Sequence, residues 1–241
     1  MFQAKLNHIP LILDHNVVLK KLRIKRHEQR DQVKRLVEMA QPLLEAKAVC
    51  KVCYIDAKLE DAVVVSGIYF RSKALRRHLD KVERVFPYVV TIGDGLEKRA
   101  RTWEDFFGSY ILDVIGNVAV TKARAHLEEE LRNKFTLEGM ATMSPGQIKD
   151  WPIQEQQPLF DLLGDVESSI GVRLEESLFM TPAKSISGIY FPTEVAFFTC
   201  QLCPKEGCSS RRAPYDERLA EEYGVRQKGC AEAERIMVFG S

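Results

Sequence analysis

The sequence of 241 residues predicts an α+β protein. Strand-like and helical runs occur in mixed order, without the strict alternation of strand and helix that a doubly wound sheet requires. Hydrophobic residues make up 45% and charged residues 29%, which is the balance of an ordinary soluble protein with one large domain or two small ones. We find no internal repeat and no low-complexity linker, and we expect the region before about Ala46 to form a small helical appendage.

The first half of the chain contains two predicted helices and three predicted strands. Apolar side chains recur at helical spacing within residues 32–44, which predicts the first helix. The runs AKAVCKVCYID (46–56) and AVVVSGIYF (62–70) predict two strands, because their residues alternate or are β-branched. Ser72 is a suitable N-cap for the second helix, and VFPYVVTIGDG (85–95) predicts a strand that closes on a glycine turn.

The second half is predicted to be mainly helical, with a strand-containing segment near the end. The predicted elements, in order, are a long helical tract over 96–135 that is bent or interrupted near Gly108, a loop rich in helix breakers over 138–152, a helix over 154–163, a turn and at least one strand within 168–191, and a helix over 215–223.

Charge and hydropathy exclude several classes of partner. The net charge of +1 provides no global field that would attract nucleic acid or an anionic membrane, and the basic run Leu19–Arg30 is typical of a solvated surface. The N-terminus lacks the apolar region of a signal peptide, and the most apolar segment (106–120) contains Asp113 and Asn117 and is too short to span a bilayer. We therefore predict a cytoplasmic protein that binds neither nucleic acid nor membrane.

A cysteine cluster near the end of the chain predicts a metal or iron–sulfur site. Cys200, Cys203 and Cys208 have the spacing C-x2-C-x4-C, and Cys230 follows 22 positions later. Six cysteines in a cytoplasmic chain favour metal binding or redox chemistry over structural disulfides. Four thiolates meet the ligand count of a structural zinc site and of an iron–sulfur cluster equally well, and three ligands with an open iron are also compatible with this pattern.

Two other features near the cysteines have less specific interpretations. Arg211 and Arg212 are expected either to donate hydrogen bonds to sulfur, to form a docking surface for an acidic electron donor, or to be solvated surface charges. Cys50 and Cys53 also form a C-x2-C pair, but positions three apart on a strand point to opposite faces, which favours two buried structural thiols.

Several short motifs follow one another in a fixed order between residues 145 and 191. They are a Pro-Gly loop, a glycine, a Thr-Glu-Ser-like segment, a Met-x-Pro and a Ser-x-Ser-Gly that leads into an aromatic strand. They fall, in order, on Pro145-Gly146-Gln147, Gly171, Glu175-Glu176-Ser177, Met180-Thr181-Pro182 and Ser185–Phe191. This order resembles the activation (reactivation) domain of cobalamin-dependent methionine synthase and related free-standing activation-domain proteins. The resemblance extends over roughly Leu43–Phe191 and depends on the joint order of the motifs.

The resemblance implies a fold, a ligand and a partner. The family domain has a twisted antiparallel sheet flanked by helices, binds S-adenosylmethionine, and caps a corrinoid carried by another domain during reductive reactivation. The resemblance also implies a set of cofactor-binding residues, which are Asn117, Ser144, Pro145, Gly146, Gln147, Glu176 and Tyr190. For Glu176, an exposed acidic turn is the alternative interpretation.

Three departures from the family pattern predict weak adenosylmethionine binding. Thr142 stands where the family has an arginine, Gln147 where it has a tyrosine, and Asn117 where the methionine synthases have a glutamate. The loss of two charge-assisted partners, each contributing roughly 1.5–3 kcal/mol, would lower affinity by orders of magnitude.

These observations divide the chain into a helical appendage (1–45), an activation-domain-like unit (46–198) and a cysteine-rich extension (199–241). They also lead to three hypotheses about function. The first hypothesis is an accessory redox protein that reactivates a corrinoid methyltransferase, or a methionine synthase lacking its own activation domain. It would take electrons from a low-potential donor through an iron–sulfur cluster, since zinc has no redox chemistry. The second is a stand-alone domain that binds S-adenosylmethionine, and the third is a non-enzymatic docking module with structural zinc.

Overall fold

The computed structural model describes residues 3–24, 26–194, 197–208 and 211–225 and has the mixed helix and strand content that the sequence predicts. The helices are α1 His15–Leu22, α2 His27–Ala40, α3 Lys73–His78, α4 Gly95–Arg101, α5 Phe106–Phe135, α6 Gln156–Leu163, α7 Val166–Ile170 and α8 Glu217–Glu222. Short 3-10 helices cover Gln41–Leu43, Ile153–Glu155 and Thr199–Leu202. The strands are β1 Gln3–Leu6, β2 Lys47–Lys51, β3 Cys53–Lys58, β4 Ala62–Val65, β5 Ile68–Arg71, β6 Arg84–Thr91, β7 Met140–Met143, β8 Arg173–Leu174, β9 Met180–Thr181 and β10 Ser185–Pro192.

The main sheet has eight strands, and every pairing in it is antiparallel. The central strand β6 pairs with β10 on one side, and β10 pairs in turn with β7. On its other side β6 pairs first with β2 and then with β3. Strand β1 extends the sheet beyond β2, and the hairpin β4–β5 extends it beyond β3. The predicted α+β class with an antiparallel sheet flanked by helices is therefore confirmed.

Two hydrophobic cores lie on the two faces of this sheet. Along β6, Phe86 and Tyr88 belong to the first core and Val85 and Val89 to the second, as the alternation of side chains along a strand requires. Helices α1, α2 and α5 contribute side chains to the first core, whereas α3, α6, α7 and α8 contribute to the second. The sheet is therefore covered by helices on both faces.

The N-terminal segment is integrated into this architecture. Strand β1 pairs with β2, and Val18 of α1 is fully buried in the first core. The side chain of Gln41 accepts from the N–H of Leu13 at 3.0 Å and donates to the carbonyl O of Leu11 at 2.6 Å, which fixes the segment before α1. Residues 3–45 thus supply a strand and core side chains in addition to the predicted helices, and the domain boundary after residue 45 stays a prediction.

The long helical tract is interrupted, but before Gly108. The break between α4 and α5 falls at residues 102–105, and Gly108 lies inside the first turn of α5. Asp105 caps α5 by accepting from the N–H of Gly108 at 2.7 Å, and its other carboxylate oxygen accepts from Trp103 Nε1 at 2.7 Å. Among the described residues, no helix combines the length and the apolar character needed to cross a membrane.

Candidate functional site

The predicted cofactor-binding loop follows directly after β7. Ser144 is buried and its Oγ donates a hydrogen bond to the carbonyl O of Ser187 at 2.6 Å. Pro145 is buried too, whereas Gly146 and Gln147 are exposed. Gly146 has a φ of +80°, and the N–H of Gln147 donates to the carbonyl O of Ser144 at 3.3 Å, as expected for a type II turn. The turn is anchored at Ser144 and presents Gln147 to solvent.

Gly188 explains why the Ser-x-Ser-Gly motif contains a glycine at its end. A Cβ at Gly188 would lie 2.6 Å from the carbonyl O of Met143 and 2.8 Å from Ser144 Oγ. The preceding Ser187 Oγ donates to Gln156 Oε1 of α6 at 2.9 Å. The motif therefore allows β10 to lie close to β7, and the carbonyl O of Ser187 holds the turn at Ser144 in place.

Asn117 lies on α5 in a small polar network with Asp113 and Lys184. Lys184 Nζ donates to Asp113 Oδ1 at 2.6 Å and to Asn117 Oδ1 at 2.9 Å, and Asn117 Nδ2 donates to Asp113 Oδ2 at 3.0 Å. The lysine stem crosses the helix at Gly116, where an added Cβ would lie 3.0–3.2 Å from three of its carbons. The side-chain oxygens of Asn117 and Asp113 therefore already accept hydrogen bonds from the ammonium group of Lys184.

Tyr190 lies in the first hydrophobic core, and its side chain is not available to a surface ligand. Its exposure is 0%, its ring stacks on Tyr88 with centroids 4.3 Å apart, and its hydroxyl donates to the carbonyl O of Arg124 at 3.1 Å. Burial raises the pKa of Tyr190 well above its usual value. Tyr88 in turn shares a hydrogen bond of 3.1 Å with Thr142, the residue at the family's arginine position. The interpretation of Tyr190 as a cleft residue is corrected by this burial.

Glu176 lies in the exposed turn between β8 and β9. Leu178 in the same turn has a φ of +66°, and the neighbouring Phe179 is 72% exposed. The turn is closed by hydrogen bonds from the N–H of Glu175 to the carbonyl O of Phe179 and from the N–H of Leu178 to the carbonyl O of Glu175. This geometry fits the alternative interpretation of an exposed acidic turn.

Strand β10 links the predicted residues that contact it. Lys184, just before the strand, binds Asn117, and Ser187 in its middle accepts from Ser144.

Two open clefts of about 520 and 330 Å3 lie in the described part of the chain, away from the predicted cofactor-binding residues. The larger lies beside α6 and α7 near Asp161 and Arg173, and the smaller lies between Arg71 and Asp150. Neither cleft is lined by the predicted cofactor-binding residues.

The cysteine loop is organised around Arg211. Cys200, Cys203 and Cys208 are half-buried, and Cys230 lies outside the described residues. The backbone N–H of Arg211 donates to the carbonyl O of Cys208 at 3.2 Å. The guanidinium donates to four further carbonyl oxygens, those of Cys200 at 3.0 Å, Cys203 at 3.0 Å, Ala213 at 3.2 Å and Lys205. None of the three roles that the sequence suggests for Arg211 includes hydrogen bonds from the guanidinium to backbone carbonyl oxygens.

The described cysteines of this loop are not arranged as a metal site. Within the described residues, no three His, Cys, Asp or Glu side chains are grouped so that they could hold a metal ion. Cys200, Cys203 and Cys208 are therefore close in sequence and share one loop, but they do not form a metal-binding group by themselves. The metal-ligand assignment of these residues and Cys230 stays a prediction.

Cys50 and Cys53 point to opposite faces of the sheet, as their spacing on a strand predicts. Cys50 belongs to the first core and Cys53 to the second, and both are buried. Burial, and then the neighbouring Cys53, raise the pKa of the Cys50 thiol far above its usual value. Both thiols are structural.

Several residues of the site were not identified from the sequence. Lys184 and Gly116 had no motif, because a lysine that crosses a helix is defined only by tertiary contact. The role of Arg211 was also missed, since a guanidinium that binds carbonyl oxygens has the same sequence pattern as a solvated one. The i, i+4 spacing of Asp113 and Asn117 on a predicted helix was the one signal that could have suggested the polar network.

One segment of the chain and the overall fold are each similar to a known activation domain. The family model "Vitamin B12 dependent methionine synthase, activation domain" matches residues 144–213, from the Ser144 turn through β10 to the cysteine loop. This result supports the sequence resemblance over that segment. A search of curated proteins finds no match.

A solved structure shares the fold over most of the chain. The crystal structure of the MetH reactivation domain bound to AdoHcy aligns with a TM-score of 0.58 and 17% identity, and the alignment covers 93% of this chain and 80% of that chain. At this identity the similarity establishes the fold alone.

Proposed function

We propose that this chain is an accessory protein that acts on the corrinoid of a separate methyltransferase. The single observation that carries the proposal is the match of residues 144–213 to the activation-domain family, because this segment contains β10 and the turn it supports. The partner would be a corrinoid-binding methyltransferase, or a methionine synthase that lacks its own activation domain.

The proposed corrinoid-facing surface comprises the exposed residues around Gly146 and Gln147 and the polar network of Asn117 on α5. Both are attached to the β10 region, through Ser187 and Lys184, and can present a fixed surface to a partner. Tyr190 is fully buried, so in this proposal it supports the surface from the core and is not itself a contact residue.

A binding experiment tests this surface. The probe is a cobalamin-binding methionine synthase fragment without its activation domain, and the readout is the cob(II)alamin absorbance spectrum on addition of the chain. Gln147→Ala should raise the concentration of the chain that gives half of the spectral change about tenfold, because Gln147 is exposed at the tip of the turn. Gln154→Ala, an exposed glutamine on the next 3-10 helix, is the matched control. Absence of any spectral change with the unmodified chain would reject the proposal.

Electron delivery is the finer part of the proposal, with Cys200, Cys203, Cys208 and Cys230 as ligands of an iron–sulfur cluster. It is supported by the three half-buried thiols on a surface loop and by the low potentials that cysteine-ligated clusters reach. Anaerobic reconstitution with iron and sulfide should give a brown protein whose visible absorbance bleaches on reduction. A colourless protein with stoichiometric zinc would instead favour the docking module.

The second candidate function is adenosylmethionine binding by a stand-alone domain. The related fold of a reactivation domain bound to AdoHcy favours it. The polar network opposes it, because Lys184 Nζ already binds Asn117 and Asp113, and Thr142 binds Tyr88. Calorimetry with adenosylmethionine distinguishes the candidates, since no heat at millimolar ligand would exclude this one.

A further inference from the structure

Cys200 lies on the 3-10 helix Thr199–Leu202 and Cys203 is its C-cap residue, which makes them a candidate redox pair. The N–H of Cys203 donates to the carbonyl O of Cys200 at 3.3 Å, at the end of the 3-10 helix Thr199–Leu202. In a turn closed by this type of hydrogen bond, a rise of about 2 Å per residue places the two Cα atoms about 6 Å apart. This separation is within the range of roughly 4.4–6.8 Å that a disulfide requires.

Arg211 fixes the backbone of both cysteines at once. Two of its guanidinium nitrogens donate to the carbonyl oxygens of Cys200 and Cys203, each at 3.0 Å. Hydrogen bonds from a charged, planar donor are stronger than neutral ones, and a single guanidinium holds both positions in a fixed relation. The chain therefore loses less conformational entropy when the two sulfurs join.

The sulfur of Cys200 is held in place by a hydrogen bond within the loop. The backbone N–H of Arg212 donates to Cys200 Sγ at 3.4 Å. This contact fixes the position of the sulfur, which favours Cys200 over Cys203 as the thiol that meets the substrate first. Both thiols are also partly accessible, unlike the buried Cys50 and Cys53.

We propose that Cys200 and Cys203 act as a redox dithiol in the metal-free chain. Cys200 attacks a disulfide of a small molecule or partner protein, forms a mixed disulfide and releases one thiol. Cys203 then attacks the mixed disulfide and releases the second thiol, so that two electrons pass to the substrate and a Cys200–Cys203 disulfide remains. The inference goes beyond the corrinoid function and does not require a cluster.

A redox titration of the metal-free full chain tests the pair. The chain is equilibrated with mixtures of reduced and oxidised dithiothreitol, alkylated, digested and analysed by mass spectrometry. We expect a Cys200–Cys203 disulfide, with Cys208 alkylated. Cys203→Ser should trap a mixed disulfide with glutathione at Cys200. Free Cys200 and Cys203 at the most oxidising ratio, or equal pairing of Cys200 with Cys208, would overturn the proposal.

Arginine variants test the positioning role separately. Arg211→Lys keeps the charge but not the fork of donors, and it should lower the equilibrium constant of disulfide formation about tenfold. Arg212→Ala keeps the backbone N–H and removes only a guanidinium 4.5 Å from the ring centroid of Phe198, so it should match the unmodified chain. Circular dichroism confirms that each variant folds. Equal constants for Arg211→Lys and the unmodified chain would refute the positioning role.

The same preparations separate this inference from the proposed function. A disulfide in the metal-free chain together with failed cluster reconstitution would reject the cluster and leave the dithiol intact. A cluster together with no Cys200–Cys203 disulfide would reject the dithiol and leave the electron-transfer proposal intact.

Discussion

At the scale of single residues, two glycines on β10 and α5 differ in what surrounds them. The Cβ of an alanine at position 188 would meet backbone oxygen at 2.6 Å, whereas at position 116 it would meet only the flexible stem of Lys184 at 3.0–3.2 Å. The carbonyl O of Met143 belongs to strand β7 and cannot move without disturbing the pairing of β7 with β10, but a lysine stem can rotate.

We therefore expect Gly188→Ala to lower the free energy of unfolding by about 2–3 kcal/mol. Gly116→Ala should be close to neutral, because the higher helix propensity of alanine offsets the displacement of Lys184. Urea unfolding followed by circular dichroism measures both. Equal destabilisation by the two substitutions would contradict this account of the β7–β10 approach.

His78 provides a residue-scale prediction about pH. Its ring centroid lies 3.8 Å from that of Phe197, 4.8 Å from that of Tyr223 and 5.4 Å from that of Phe191. Its Nε2 is buried and has no hydrogen-bond partner among the residues that the structure describes. Burial, and then the charge of Arg77, lower the pKa of His78 from 6.5 to about 4. The folded state therefore favours the neutral imidazole.

Because the folded-state pKa is depressed, the contribution of His78 to stability is fully present above pH 6.5 and is lost as the pH falls towards 4. The loss across this window is on the order of 3 kcal/mol. His78→Phe should remove this part of the pH dependence, which is measured by urea unfolding at several pH values between 7.5 and 4 (about one unit apart). An unchanged difference between neutral and acidic pH in the variant would show that His78 does not titrate in this way.

At the scale of secondary-structure elements, helix α3 depends on a cap that comes from two parts of the chain. Ser72 Oγ accepts from the N–H of Leu75 at 3.0 Å and donates to Asp150 Oδ2 at 2.6 Å. The same carboxylate oxygen accepts from the N–H of Ala74 at 2.9 Å. The prediction of Ser72 as the N-cap is confirmed, but the hydrogen bonds that Asp150 adds to the cap follow only from the fold.

Ser72→Ala should lower the free energy of unfolding by about 1–2 kcal/mol, at the upper part of the range for a cap, because Ser72 is buried. Asp150→Asn keeps an oxygen acceptor and should cost less. Thermal unfolding of the two variants gives the comparison. A larger loss for Asp150→Asn would mean that the carboxylate charge, and not the serine hydroxyl, holds the start of α3.

The hairpin β4–β5 shows what a local pattern leaves out. The run AVVVSGIYF predicts one strand, but Ser66 and Gly67 adopt φ values of +46° and +82° and reverse the chain. A Ser-Gly pair is a turn signal, but the flanking residues are β-branched or aromatic on both sides, which favours one continuous strand. The strand type was therefore predictable, whereas the reversal requires the turn signal of Ser66 and Gly67 to be given more weight than the strand propensity around it.

At the scale of the whole molecule, the sequence predicted the composition of the sheet better than the surface of the site. The α+β class and most elements followed from periodicity, because periodicity reports burial directly. Tyr190 could not be assigned to a face in the same way. Its neighbours Ile189 and Phe191 fill the second core while Tyr190 fills the first, and a strand buried on both faces has no polar alternation to reveal its orientation.

The contacts of the cysteine-rich segment also depend on the whole molecule. The sequence places a boundary at residues 198/199, yet Leu202 and Ala220 are buried in the second core and Thr199 Oγ1 donates to the carbonyl O of Thr142 at 3.1 Å. Arg77 of α3 reaches the side chain and carbonyl O of Glu222 and lies 4.7 Å from the ring centroid of Tyr223. These contacts connect residues 199–208 and 211–225 to β7 and α3.

An independent extension and an integrated one therefore predict different outcomes for truncation after Phe198. If residues 199–225 complete the second core, the truncated chain should unfold at a lower urea concentration. Leu202→Ala in the full chain should by itself cost about 2–5 kcal/mol, since the leucine is 1% exposed. The point variant keeps the measurement informative if the truncated chain aggregates, and Leu59→Ala, at a leucine that is 43% exposed, is its matched control. Equal unfolding midpoints for Leu202→Ala and the unmodified chain would mean that the segment folds apart from the core, and the boundary at 198/199 would then be a true domain boundary.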